Sequence, residues 1–230
     1  MIRLVTGLLL GAAAVLAIAA PSSAATRECF LLTSCTPVVG PWTVIPAVDS
    51  PIVPSGAALQ CPDTAGGDLQ LPVGSDYERS GGAAPPPDVT RYMSGPGIGL
   101  VNGANALFFA INRSATAASF RPRIGCVPQP GPASAAKQEG GGARVRTRDV
   151  TLRPSHAVVH RHRCKRGETL VRGLASVQFH RERAPSAREL RDVEITHRKR
   201  GRRIIARVRT GESVADRERV TLHLLAVCTR

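Results

Sequence analysis

Histidine and cysteine residues in the second half of the sequence have the spacing of a candidate metal site. His160, His162 and Cys164 alternate along the chain, so a β-strand would place all three on one face. Two histidines at positions i and i+2 of a strand can both reach one zinc ion. Spacing fixes no further ligand, however, and Cys164 has a candidate disulfide partner in Cys228. We therefore predict no cofactor, and we keep zinc at His160 and His162 as an alternative.

Nucleophilic catalysis has less support in the sequence. The chain contains neither the Gly-x-Ser-x-Gly elbow of α/β-hydrolases nor the His-Glu-x-x-His pattern of zinc proteases. Disulfides are predicted to consume every cysteine, which leaves no free thiolate to act as a nucleophile. The sequence favours a protein that is not an enzyme. An exported hydrolase or metal-dependent enzyme with its site near His160 and His162 is the alternative.

Positive charge is concentrated in the C-terminal part of the chain. Residues 26–135 contain six Arg and no Lys against seven Asp and Glu, a net charge of −1. Residues 136–230 contain 24 basic and 10 acidic residues, a net charge of +14. A composition bias toward arginine would act on both parts equally. The asymmetry therefore favours a functional role for the charge in the second part.

Many of these arginines recur at every second position, which puts them on one face of a strand. Residues 197–203 add a cationic hairpin turn between two such strands. A guanidinium group can bind a phosphate or carboxylate through two parallel hydrogen bonds. A solvated or internally neutralised face is the alternative. The predicted anion-binding residues are Arg161, Arg163, Arg198, Lys199, Arg200, Arg202, Arg203, Arg207 and Arg209.

The composition also narrows the class of polyanion. Phe179 is the single aromatic residue after position 135, so the basic part has no platform on which single-stranded bases could stack. Helix-turn-helix and zinc-finger spacings are absent from the sequence as well. We predict that nucleic acid is not the partner, and we expect an anionic cell-wall polymer, an acidic polysaccharide or lipid headgroups. A structural or adhesive spacer without a charge-dependent partner is a third hypothesis.

The first 25 residues have the pattern of an export signal. Arg3 provides the charged start, residues 4–20 form an apolar run, and small residues allow cleavage after Ala24 or Ala25. An uncleaved membrane anchor is the alternative. After residue 20 no apolar run approaches the ~20 residues that span a bilayer. We predict a secreted protein of the extracellular space or cell envelope.

The six cysteines fit export and reveal an internal repeat. Six cysteines allow 15 disulfide connectivities, but here the separations repeat. Cys61 and Cys126 are 65 residues apart, and Cys164 and Cys228 are 64 residues apart, with alternating apolar residues before the second cysteine of each pair. The repeat predicts the pairs Cys61–Cys126 and Cys164–Cys228, which leaves Cys29 and Cys35 to close a short N-terminal loop.

The repeat defines the predicted domain organisation. Residues 128–143 are rich in Pro and Gly and are typical of a linker. Short alternating runs at 145–152, 157–164, 169–179, 191–198, 203–209 and 220–228 predict strands, with one helical turn at 186–191. We expect an all-β fold of two tandem, small antiparallel β-sandwiches of immunoglobulin-like type, each pinned by one disulfide. The predicted segments are a signal peptide at 1–25, an N-terminal Cys-loop segment at 26–50, and sandwiches at 36–127 and 144–230.

Short sequence features resemble uncharacterised, secreted, disulfide-bonded β-sandwich proteins of high-GC bacteria. They are the N-terminal Cys loop, the run Gly40-Pro41-Trp42-Thr43-Val44-Ile45-Pro46, the stretch 105–112 and Ile124-Gly125-Cys126. The resemblance covers most of the chain after the signal segment. It implies export and a β fold, and it brings no activity and no catalytic residues.

Overall fold

A computed structural model of the chain describes residues 26–30, 32, 34–47, 54–62, 70–81, 86–93, 105–128, 144–214 and 219–229. Nearly all of its regular structure is β. The elements are a 3₁₀ turn (Arg27–Cys29), β1 (Thr36–Val39), β2 (Trp42–Ile45), β3 (Ser55–Gln60), β4 (Gln70–Ser80), β5 (Asp88–Met93), β6 (Asn105–Ile111), β7 (Ala118–Pro128), β8 (Arg144–Thr151), β9 (Ala157–Arg163), β10 (Thr169–Phe179), α1 (Ala187–Arg191), β11 (Val193–Arg200), β12 (Arg203–Thr210) and β13 (Val220–Thr229).

The strands of the second half lie within one or two residues of the predicted runs, and in β9 and β12 the side chains alternate in burial. Along β12, for example, Ile204, Ala206 and Val208 are buried while the arginines between them are exposed. The predicted helical turn is α1. It begins at Ser186, whose hydroxyl accepts a hydrogen bond from the Glu189 amide while the Glu189 carboxylate accepts one from the Ser186 amide. This capping box satisfies amides that the first helical turn leaves free.

Three antiparallel sheets organise the described residues. A seven-stranded sheet has the order β1-β7-β2-β10-β13-β8, with β4 on the other edge of β7. Two three-stranded sheets have the orders β3-β6-β5 and β9-β12-β11. In the first half β6 lies between β3 and β5, and in the second half β12 lies between β9 and β11. Strands β4 and β10, which come second in these two series, belong to the large sheet, so both halves have the same connectivity. The all-β prediction is confirmed, and the repeat read from cysteine spacing has a counterpart in strand pairing.

The two halves share one sheet. Strand β2 pairs with β7 of the first half along one edge and with the end of β10 of the second half along the other. Trp42 and Val44 are buried in the core of the second half, although they precede it by more than 100 residues in the chain. The indole of Trp42 donates a hydrogen bond to the carbonyl oxygen of Glu182.

A second contact covers the far face of β10 and β13. Leu174, Leu225 and Val227 pack with Leu107 of β6, which belongs to the first half. The hydroxyl of Ser176 donates a hydrogen bond of 2.7 Å to the carbonyl oxygen of Gly56 on β3. Both faces of β13 are therefore covered, which explains why every residue from Val220 to Cys228 is buried.

The three predicted disulfides are all present. Cys29 pairs with Cys35, Cys61 with Cys126 and Cys164 with Cys228. Each of the two longer bridges links the end of the first strand of a three-stranded sheet to the last strand of the same half. Disulfides of this kind persist in oxidising compartments, which agrees with a location outside the reducing cytosol.

Two predicted segments lie outside the described residues: the signal peptide at 1–25, and the linker at 128–143 apart from Pro128. Within the ranges that are described, no helix has the length and apolar character required to traverse a lipid bilayer.

Candidate functional site

Most of the predicted anion-binding residues lie on the outward face of the second three-stranded sheet. Ile204, Ala206 and Val208 of the central strand β12 point into the core, so the residues between them point outward. The pairing register places Arg200, Arg203 and Arg163 side by side across the three strands. We call this outward surface the arginine face. Its arginines within the described chain are Arg161, Arg163, Arg198, Arg200, Arg203, Arg207 and Arg209.

The arginines of this face are exposed, and none of them forms an ion pair with another described residue. Directly opposed side chains on neighbouring strands have Cβ atoms about 4.5–5.5 Å apart, and like charges at that distance repel. Glu194, which lies opposite Arg209, is the carboxylate that shares the outward rows. The outward rows thus hold seven arginines against one carboxylate and keep a large excess of positive charge.

The two remaining predicted residues lie beside this face rather than on it. Lys199 belongs to an inward row with Ile204 and His162, but its position near the hairpin leaves it exposed. Arg202 lies in the turn between β11 and β12, where Gly201 adopts a φ of +57°. The guanidinium of Arg202 donates a hydrogen bond to the carbonyl oxygen of Lys165.

The two histidines of the zinc hypothesis share the inward face of β9, as their spacing predicts. One ring nitrogen of His162 lies 3.2 Å from the carbonyl oxygen of Arg146. Burial lowers the pKa of His162, against the effect of that hydrogen bond, and burial also lowers the pKa of His197 in the neighbouring inward row. Both imidazoles are therefore mainly neutral at pH 7.

The structure does not add a third ligand to these histidines among the residues it describes. The one group of potential metal ligands found there is Cys164, Glu168 and Cys228, whose ligand atoms lie within 4.8 Å of one another. Both of these cysteines are in a disulfide, so they have no thiolate to offer a metal. Zinc at His160 and His162 therefore stays the alternative hypothesis.

Glu168 has a different role in this group. It is buried, and its two carboxylate oxygens accept hydrogen bonds from Nε and Nη2 of Arg146. The backbone amide of Lys165 donates a further hydrogen bond of 2.8 Å. The bonds from Arg146, together with that amide, hold the pKa of Glu168 at about 2. This carboxylate is charged at neutral pH, and its charge is balanced by Arg146.

A serine, a histidine and an aspartate come together in one row, which no pattern in the sequence predicts. Ser176, His223 and Asp149 are adjacent across β10, β13 and β8, and Nδ1 of His223 lies 2.6 Å from a carboxylate oxygen of Asp149. A serine that histidine activates as a nucleophile donates a hydrogen bond to the ring nitrogen that does not contact the aspartate, which here is Nε2 of His223. Instead, the Ser176 hydroxyl donates to the carbonyl oxygen of Gly56, and Nε2 of His223 has no hydrogen-bond partner among described residues. The serine is also fully buried, so this row supports packing between the halves.

A cationic depression lies at the end of the sheet, next to the arginine face. It has a volume of about 700 Å³ and is lined by Arg163, Cys164, Lys165, Arg166 and Arg202. The prediction from sequence included Arg163 and Arg202 but missed Lys165 and Arg166. Lys165 and Arg166 lie in the turn after β9, where side chains do not alternate between two faces, so the alternation of a strand could not predict them.

Comparison of the chain with protein-family models, with curated proteins and with solved structures finds no match. The arrangement of its side chains is therefore the basis for assigning a function.

Proposed function

We propose that this is a secreted, non-enzymatic binding protein that attaches to anionic polymers or surfaces through the arginine face. In this proposal the halves are two immunoglobulin-like β-sandwiches that follow a cleaved signal peptide. The first half supports the second, and the second carries the binding surface. The extracellular space or the cell envelope is the proposed location, because three disulfides need an oxidising compartment.

The observation that carries this proposal is the row Arg200, Arg203 and Arg163. Three guanidinium groups side by side repel one another, and none has an ion-pair partner in the described part of the chain. A polymer with regularly spaced negative groups relieves this repulsion. It also uses the ability of each guanidinium to form two parallel hydrogen bonds with one oxyanion.

The spacing of the array also suits an extended polymer. Outward residues recur about every 6.6–6.8 Å along a strand, and neighbouring strands are about 4.7–4.9 Å apart. Ile205 lies between Arg198 and Arg161 in the outward rows, and the exposed Val159 lies beside Arg207. The face thus alternates charge with small apolar patches. Such a surface fits anionic polysaccharide or lipid headgroups better than stacked bases.

Salt-dependent binding of fluorescein-labelled heparin tests this proposal. The test variant replaces Arg161, Arg203 and Arg207 with Gln. The matched control replaces Arg183, Arg188 and Arg191 with Gln, which removes the same charge from exposed positions near α1. Because each neutralised phosphate contributes roughly 0.7–0.9 to the salt slope of nucleic-acid complexes, we expect the test variant to reduce the slope by about 2 to 3.

The control variant keeps the wild-type slope if the arginine face is the binding surface. Equal losses in the two variants would show that net charge alone attracts the polymer. Absence of saturable binding by the wild-type protein at roughly 50 mM salt, the condition that favours ionic contacts, would overturn the proposal.

A further inference from the structure

The cationic depression at the end of the second three-stranded sheet has the features of a separate, built site. Two turns form its walls: residues 164–167 after β9, and residues 201–202 between β11 and β12. The Cys164 amide donates to the carbonyl oxygen of Arg202, and the Arg202 guanidinium donates back to the carbonyl oxygen of Lys165. These reciprocal hydrogen bonds hold the two turns together.

The bottom of the depression is held just as firmly. Cys164 is buried and bonded to Cys228, which fixes the first turn to β13. Glu168 accepts hydrogen bonds from Arg146 and from the Lys165 amide, so the backbone of this turn is tied to β8. A site whose frame is fixed in this way loses little conformational entropy when a ligand binds.

The charges that line the depression are available to a ligand. Four of its five lining residues carry a positive charge, and none of them is acidic. Glu168 is the nearby carboxylate that follows in the chain, and its charge is already balanced by Arg146. The side chains of Lys165 and Arg166 are exposed, with no ion pair to another residue that the structure describes.

We propose that this depression binds a compact phosphate group, such as a phosphomonoester or a pyrophosphate. A phosphomonoester carries roughly −1.5 to −2 charges at pH 7 and three strong acceptor oxygens. A carboxylate or a sulfate ester brings a single charge, which is poorly matched to four surrounding cations. The volume of about 700 Å³ lies in the range of sites for small molecules, so a phosphorylated sugar or a phosphorylated chain end fits it.

This site goes beyond the arginine face and does not depend on it. Its distinguishing residues, Lys165 and Arg166, lie in the turn after β9 and not in the outward rows. The two surfaces meet at Arg163, which belongs to both. A polymer on the face would compete for Arg163 with a ligand in the depression, whereas Lys165 and Arg166 serve the depression alone.

Calorimetric titration of the oxidised, full-length chain with inorganic pyrophosphate tests the site. We expect one pyrophosphate per chain, and a loss of about tenfold or more in affinity in the double variant K165A/R166A, which lacks two charge-assisted contacts. The matched control is R161Q/R207Q, which removes the same charge from the arginine face and leaves pyrophosphate affinity within about threefold of wild type. If this control variant no longer binds heparin, that result tests the arginine face and does not test the depression.

Three results would overturn the assignment. The first is absence of saturable binding of pyrophosphate to the wild-type protein. The second is an equal loss of affinity in the two double variants. The third is binding of sulfate as tight as that of pyrophosphate at equal ionic strength, which indicates general anion attraction. Competition by glycerol 3-phosphate would identify a small phosphomonoester as the ligand type, whereas competition by polyphosphate alone would identify a chain end.

Discussion

Gly56 and Leu174 pack against each other where the two halves meet, and replacing either residue tests whether the halves depend on one another. A Cβ atom added at Gly56 would lie 2.6 Å from Cδ1 and 3.2 Å from Cβ of Leu174. Leu174 is buried in the cluster that joins β10 and β13 to β6. The variant Gly56→Ala therefore forces Leu174 to move, and overpacking of this kind costs about 1–3 kcal/mol.

The variant Leu174→Ala tests the same contact from the other side. Removing a buried leucine side chain costs about 2–5 kcal/mol, because it loses apolar burial and leaves a cavity. The cavity in this variant accepts the methyl group that Gly56→Ala introduces. The double variant should therefore be more stable than the sum of the two single changes predicts, by about 1 kcal/mol or more.

Urea unfolding with intact disulfides measures these differences, followed by circular dichroism and by the fluorescence of Trp42. Trp42 is the one tryptophan of the chain and is buried where the sheet passes from one half to the other. A coupling energy below about 0.5 kcal/mol would refute the reasoning, because that is the scatter expected of independent sites. Separate transitions for the two probes would refute it as well.

Two further predictions concern individual groups. The variant Glu168→Gln should lose less of its free energy of unfolding than the wild type as the pH falls from 4.5 toward 2. The pKa of Glu168 is lowered from 4.5 to about 2 in the fold, so the stabilisation from its charged form is present above pH 4.5 and is lost as the pH falls toward 2. Chemical unfolding across this pH range checks the prediction, and an unchanged curve would contradict it. We also expect the oxidised protein to bind no stoichiometric zinc, because the Cys164 and Cys228 sulfurs are consumed in a disulfide and no third ligand joins His160 and His162 in the described structure. Tight one-to-one binding that is lost in the variant His160→Ala would favour the metal-dependent alternative.

The class of the fold and the disulfide pairing were predictable from local sequence patterns. Alternation of apolar and polar residues marks β9 and β12 clearly, because each has one face in the core and one in solvent. The cysteine separations of 65 and 64 residues repeat with the strands, so the pairing follows from the duplication. The same alternation predicted the arginine face, since arginine at every second position of a strand must share one side.

The shared sheet was not predictable in the same way. All four residues of β2 are buried, because both edges of the strand are paired and both faces are covered. Such a run carries no alternation, and nothing in it identifies its partner strand. Thr221 and His223 alternate with the core residues Val220, Leu222 and Leu224 and so lie on the other face of β13, yet both are buried. The cationic depression was missed because two turns that are distant in sequence form it together.

The disulfide pattern has a consequence for how the chain matures. Cys29, Cys61 and Cys164 each pair with the next cysteine along the chain. A polypeptide that meets an oxidant from its amino end presents its thiols in that order, so each new thiol finds its native partner as the one still unpaired. Of the 15 arrangements open to six cysteines, oxidation in the order of emergence gives this one directly. Oxidation in this order forms the native set without passing through a non-native pair that must be rearranged.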